Sequence, residues 1–162
     1  MSKQSDENIC GTPKETFELG ESLSESLEGG EVIFLYGGLG AGKTLLAKGI
    51  LNGLDFDARE VTSPSFTLVN LYKTGKFDVY HIDLWRLDEG TDIAFAVGLE
   101  EILEDENAVV IIEWAERLGV FPFSSKVIRV NIEGDGGETR KITIESRGRI
   151  PLKSKKSANR NK

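Results

Sequence analysis

The stretch "EVIFLYGGLGAGKTLLAKGIL" (residues 31–51) constrains this chain more than any other part of it. Residues 31–36 are a short, nearly continuous apolar run rich in β-formers, the pattern of a buried strand. The next eight, Gly37 to Thr44, fit the order of glycine, four residues, then Gly-Lys-Ser/Thr. Leu45, Leu46, Ile50 and Leu51 then recur at helical spacing until Gly53. Strand, glycine loop and helix in that order form a phosphate cradle. Glycines allow positive φ and close approach, so successive backbone N–H groups surround a polyphosphate while the helix N-terminus adds partial positive charge. On this reading Gly38, Leu39, Gly40, Ala41, Gly42, Lys43, Thr44 and Leu45 hold the phosphates of a nucleotide. Lys43 reaches the terminal phosphates, and the Thr44 hydroxyl binds Mg²⁺. A bare tight turn is the alternative, and the spacing and placement speak against it.

The flanking sequence predicts what carries this loop. Thr12, Pro13 and Glu15 make a capping-box start, and Leu19, Leu23 and Leu27 give one apolar face before Gly29-Gly30. "SFTLVNLY" (65–72) and "FDVYHIDLW" (77–85) read as strands joined by "KTGK", a connection too short for anything but an antiparallel pair. "TDIAFAVGLEEIL" (91–103) reads as a helix interrupted near Gly98, and "AVVIIEW" (108–114) as another buried strand. "KVIRVNIE" and "TRKITIE" flank "GDGG" as a hairpin. These elements predict an α/β protein, a P-loop NTPase-like three-layer sandwich with a mixed sheet and antiparallel hairpins.

The 162 residues fit one domain, expected over residues 1–146, with a basic tail from 147 to 162. That tail holds seven Lys or Arg and no acid, whereas the preceding 146 residues carry 13 basic against 27 acidic side chains. An acidic body argues against a broad nucleic-acid face, because phosphate binding needs clustered positive charge. The tail is either solvated and mobile or a weak electrostatic contact for RNA or an acidic partner. The longest apolar runs fall far short of a membrane span, the N-terminus lacks a signal core, and one cysteine, Cys10, permits no internal disulfide. A cytoplasmic location follows as the expectation.

Mg²⁺ bound at Thr44 calls for an acidic group at a nearby strand end. Glu113 closes "VVIIE" after four apolar residues, and Asp83 stands in the apolar "YHIDLWRL" with His81 two residues earlier on the same strand face. A carboxylate in a central strand is costly unless paired or metal-bound, which singles out Asp83; His81 reads first as a structural group. Thr62, Ser63 and Ser65 around Pro64 form a polar loop, either a plain turn or a switch facing the γ-phosphate. Trp85 and Trp114 adjoin the two carboxylates, as core caps or stacking surfaces.

"LYGGLGAGKT", "SPSFTLVNLY", "YHIDLWRL", "GLEEIL" and "IIEWAE", in this order over roughly residues 12–145, resemble the TsaE (YjeE) family of bacterial ATPases needed for threonylcarbamoyl modification of tRNA adenosine beside the anticodon. The resemblance implies an ATP site with Thr44 and Glu113 on Mg²⁺, Asp83 needed for turnover, and a Ser63-Pro64-Ser65 switch. It also implies that Thr12, Thr16 and Arg140 lie near the adenine. It implies docking on TsaD and TsaB proteins, with hydrolysis resetting that assembly and tRNA reached only through it. The sequence departs from the family at Gly38, where an acid is usual, at Ser65 for threonine, Trp85 for tyrosine and Ala115 for proline. Catalytic roles thus fall to Lys43, Asp83 and Glu113, with metal contacts from Thr44, Glu113 and Asp83. Which carboxylate activates water stays open. A small-metabolite kinase, with Arg86 or Arg117 on a lid, is the second reading, and a module that binds nucleotide without cleaving it the third.

Overall fold

A computed structural model describes residues 3–88, 92–119, 121–123, 126–134 and 137–147, the side chains of residues 3 and 147 excepted. The basic tail beyond residue 147 and the centre of the "GDGG" turn lie outside the described residues.

Seven strands form one sheet: β1 (Lys3–Cys10), β2 (Glu31–Tyr36), β3 (Val69–Lys73), β4 (Asp78–Asp83), β5 (Val109–Glu113), β6 (Lys126–Gly134) and β7 (Arg140–Arg147), in the order β1-β7-β6-β2-β5-β4-β3. The four central strands, β6, β2, β5 and β4, run parallel, and β1, β7 and β3 are antiparallel additions at the margins. The mixed sheet expected from the short connections is therefore present. The parallel centre is also the buried part, as both its faces are covered. Residues 32–35 of β2 are exposed by 5% or less, and all of β5 is buried.

Alternation along the strands divides the core into two. On one face Ile33, Leu35, Ile111 and Val130 meet α1 (Pro13–Ser24) and α2 (Lys43–Gly53). On the other, Val32, Phe34, Val110 and Ile112 meet α3 (Ile93–Val97) and α4 (Leu99–Leu103). Each such buried aliphatic side chain contributes about 1.5–3 kcal/mol by leaving water. Helices on both faces give the three layers. The helix pair α1 and α2 crosses unusually closely at two glycines. A Cβ on Gly20 would lie 2.5 Å from the Leu46 carbonyl oxygen, and one on Gly49 2.1 Å from that of Phe17, so backbone packs on backbone there.

Several boundaries differ from the sequence reading. β1 is an additional strand, pairing all along β7 from Lys3 opposite Arg147 to Cys10 opposite Arg140. Its sequence "KQSDENIC" is too polar to announce a strand, because an edge strand draws on backbone pairing more than on core burial. The strand expected over 65–72 starts only at Val69, because Leu68 adopts φ 69° and its N–H bonds back to the Pro64 carbonyl. β4 stops at Asp83 rather than 85, and the helix expected over 91–103 is two short helices, Ile93–Val97 and Leu99–Leu103, divided by Gly98 at φ 70°, with residue 91 outside the described residues. The Thr12 N-cap on α1 is observed, with the Glu15 N–H donating to Thr12 Oγ1 at 3.2 Å, but the Glu15 side chain accepts from the Gly11 N–H rather than that of Thr12, so the capping box is only half formed.

Candidate active site

The carboxyl ends of the central parallel strands bring the predicted residues together, the place where open α/β sheets bind ligands. β2 runs out into Gly37, and the loop turns through positive φ at Gly37 (153°), Gly40 (76°) and Gly42 (113°) before α2 begins at Lys43. Gly42 is the residue before the helix and offers no side-chain cap, so the first amides of α2 stay open to an anion. Gly38 differs from these three: its φ is ordinary, and a Cβ there would meet nothing within 4 Å. The carboxylate that the resemblance leads one to expect here would therefore fit, so glycine at this position changes side-chain chemistry rather than loop shape.

Lys43 is the buried cation of the site, exposed by 5%. Its Nζ donates to the carbonyls of Gly37 at 2.7 Å and Gly38 at 2.8 Å, and lies 4.0 Å from the centre of the Trp114 ring. Burial lowers its pKa from the ordinary lysine value, opposed by the charges of Glu113, Glu116 and Asp83. Thr44, one residue on, donates from Oγ1 to the Glu113 carboxylate, 3.1 Å from each oxygen. This joins the start of α2 to the end of β5, an association of residues 69 apart in sequence.

Asp83 ends β4 opposite Glu113. Its Oδ1 accepts from the Trp85 N–H at 2.9 Å and its Oδ2 from the Ser63 hydroxyl at 3.3 Å. Burial chiefly raises the Asp83 pKa, with the Glu113 charge acting in the same direction; the two hydrogen bonds and His81 act against it. Ser65 lies with Ser63, Lys43, Thr44, Asp83 and Glu113 around a hollow of about 270 Å³. On the other side of the loop a larger cleft of about 630 Å³ is lined by Gly37 to Ala41 and by Asn131, Glu133 and Arg140 from the β6–β7 hairpin. Leu39 and Gly40 border both, so the glycine loop forms the ridge between them.

The three residues assigned to the nucleotide's other end fall differently. Arg140 touches the loop directly, with Nε donating to the Ala41 carbonyl at 2.8 Å and a terminal nitrogen to Gly40 at 3.3 Å. Thr16 is buried under the loop, its Cγ2 3.8 Å from where a Gly42 Cβ would stand. Thr12 is exposed and engaged as the cap of α1. Leu45 is half-buried on α2, behind Thr44.

Two residues matter more here than their sequence reading suggested. His81 is fully buried with Nε2 2.5 Å from Glu113 Oε2, and only its position two before Asp83 hinted at this. Trp114 adopts φ 58°, which ends β5 abruptly and lays the indole against Lys43 and against Trp85, with ring centres 4.4 Å apart. Arg117, a candidate lid residue for a kinase, donates to the Leu87 carbonyl at 3.2 Å and lies against both indoles. The other, Arg86, stacks over Phe66 at 4.3 Å.

The donor set suits a hard divalent cation: a hydroxyl and a carboxylate already in contact, beside open helix amides for phosphate. No group of three or more His, Cys, Asp or Glu among the described residues is placed to hold a metal ion. No helix among the described residues is long and apolar enough to cross a membrane.

A family model for "Threonylcarbamoyl adenosine biosynthesis protein TsaE" matches residues 10–142. A tRNA threonylcarbamoyladenosine biosynthesis protein TsaE from Nostoc sp. PCC 7120 is 36% identical over 129 residues, 79% of each chain. One from Treponema pallidum is 36% identical over 137 residues, covering 84% of this chain and 97% of its own. The crystal structure of YdiB from Bacillus subtilis superposes with a TM-score of 0.72 at 25% identity, covering 100% of this chain and 99% of that one. With its family pattern, its relatives and its fold in agreement, the chain belongs to the TsaE family of tRNA threonylcarbamoyladenosine biosynthesis proteins.

Proposed function

We propose that this TsaE protein is a Mg²⁺-dependent ATPase, acting in the cytoplasm as a switch on the TsaD- and TsaB-type assembly that forms threonylcarbamoyladenosine in tRNA. The observation that carries the reading is the contact of the Thr44 hydroxyl with both Glu113 oxygens, at the mouth of a glycine loop with three positive φ angles. Mg²⁺ held by Thr44, with Glu113 behind it, would neutralise charge on the β- and γ-phosphates. The loop amides and the α2 N-terminus bind and orient the phosphate chain. Lys43 is buried beside that chain, and the negative charge of phosphate favours its ammonium form against the burial that lowers its pKa.

Asp83 is the stronger candidate for orienting and deprotonating water. Both carboxylates border the same hollow and both have their oxygens engaged, but Glu113 is bonded to Thr44 at the start of α2 and to buried His81, whereas Asp83 is held by the Trp85 N–H and the exposed Ser63 hydroxyl and carries a raised proton affinity. Arg86 borders the hollow but is stacked on Phe66, and Arg117 is tied to Leu87 and two indoles. Neither is free to act as a transition-state cation as it stands, so turnover by the chain alone is slow and rises with partners. The acidic body favours contact with tRNA through those partners rather than directly.

Phosphate release by the pure protein, with and without TsaD and TsaB and with and without Mg²⁺, tests the reading. The expected result is Mg²⁺-dependent release stimulated by the partners. Release indifferent to both, or a phosphorylated small acceptor in stoichiometric yield, would overturn it.

A further inference from the structure

His81 is the sole histidine of the chain and is 0% exposed. It sits in β4 opposite Ile111 of β5, and Glu113 lies two residues further along β5 on the same face. Its Nε2 is 2.5 Å from Glu113 Oε2, while Nδ1 is buried without a hydrogen-bond partner. A neutral imidazole has one donor and one acceptor nitrogen, and an ionised carboxylate only accepts. The hydrogen therefore belongs on Nε2, where it is used. The opposite tautomer would face Glu113 with a lone pair and leave a buried N–H orphaned, the rarer and costlier defect.

The ring is held in place from its other side. Tyr72 of β3 lies 6.4 Å away, centre to centre, and its hydroxyl is tied to the Thr62 backbone by bonds of 3.2 and 3.1 Å. His81 is thus a fixed donor, and nothing in its burial lets it reach a phosphate. Glu113, by contrast, has a side chain with three torsions that only its partners can hold still.

We infer that His81 is a positioning residue: it donates from Nε2 to Glu113 and fixes the carboxylate that Thr44 and a divalent cation share. This rests on the ATPase reading above for the cation's part, and on geometry alone for the grip on Glu113. Partners behind a metal-facing group orient it, and losing one weakens metal affinity or activity by about tenfold to a hundredfold.

Because the chain has one histidine, long-range ¹H–¹⁵N spectra of the full-length protein report its ring without ambiguity. The expected result is a hydrogen on Nε2; an Nε2 without one overturns the inference. Activity then separates positioning from mere support of the fold. His81→Leu should raise the Mg²⁺ concentration for half-maximal turnover by about tenfold or more, while fluorescent-nucleotide affinity without Mg²⁺ changes by less than about twofold. His81→Gln, whose amide nitrogen can stand where Nε2 stands, should recover most of the loss. A folded His81→Leu protein with the parent's Mg²⁺ requirement, or equal losses of nucleotide binding in both variants, overturns it. Should His81→Leu fail to fold, the ring assignment and His81→Gln decide. Should the parent show no Mg²⁺-dependent turnover, the ATPase reading falls and the ring assignment alone decides whether His81 grips Glu113.

Discussion

The ends of β4 and β5 stand side by side, Asp83 opposite Glu113, with both residues nearly out of solvent at 4% and 2% exposure. What surrounds each carboxylate is different. Glu113 is bonded to framework groups, Thr44 in the first turn of α2 and His81 within the sheet. Asp83 is bonded to a backbone N–H two residues on and to Ser63, an exposed residue in the irregular segment before β3. Adjacent groups of the same chemistry thereby receive separate tasks, as paired carboxylates do where environment rather than identity sets their role. On the proposed function, one would support a cation from behind and the other would accept a proton beside a loop.

The largest effect expected from breaking this division is at Glu113. Glu113→Gln keeps the shape but removes the charge behind Thr44, and should lower turnover by about a thousandfold, the ~4 kcal/mol that a well-held cation contributes to stabilising transition-state charge. Nucleotide binding without Mg²⁺ should be retained. Phosphate release paired with fluorescent-nucleotide titration checks this, and retained turnover would place the metal elsewhere.

Asp83→Asn should cost about a hundredfold in turnover, the lower end for loss of a general base. Its effect on stability should have the opposite sign. Since burial raises the folded-state pKa above the ordinary 3.8, the folded protein holds this proton more tightly than the unfolded chain. Stability is therefore lost as pH rises from 3.8 through the raised value, and the full penalty is present at neutral pH. Asparagine removes it. Melting at pH 7 should therefore shift upward. The gain should shrink as pH falls into the carboxylate range. A variant less stable at every pH would mean that Asp83 is held as a favourable charge, like Glu113, and would erase the contrast.

The sequence already separated these two carboxylates in part. The glycine loop was legible because a phosphate cradle demands a fixed spacing of residue types, and Glu113 because four apolar residues point a strand at it. Asp83 stood out as a charge inside an apolar run. Legibility ended where tertiary contacts begin. His81 looked structural because its partner lies 32 residues away, and a residue's distance from another strand is not written in its neighbours. β1 was hidden for a different reason: its register comes from eight backbone pairings with β7, to which the polar "KQSDENIC" adds little pattern. The segment from Ser65 to Leu68 carried β-forming residues, yet the positive φ at Leu68 and the bond from its N–H to Pro64 turn it into the short loop that presents Ser63.

That loop supplies the smallest and sharpest test. The Ser63 hydroxyl donates to Asp83 at 3.3 Å, and this bond lowers the Asp83 pKa against the burial that raises it. Ser63→Ala removes only this opposition, so the carboxyl should hold its proton more tightly still. A hydrogen bond of ~1 kcal/mol corresponds to less than about one pH unit. Where Asp83 must be ionised to act, the acid limb of the turnover profile should move upward by that amount, with little change on its high-pH plateau. Just below the limb the variant would run about fivefold slower than the parent. The Mg²⁺ requirement should not move, because Ser63 has no bond to Glu113 or Thr44. A shift in Mg²⁺ requirement with an unmoved limb would reverse the assignment, making Asp83 the cation's support and leaving Glu113 as the base.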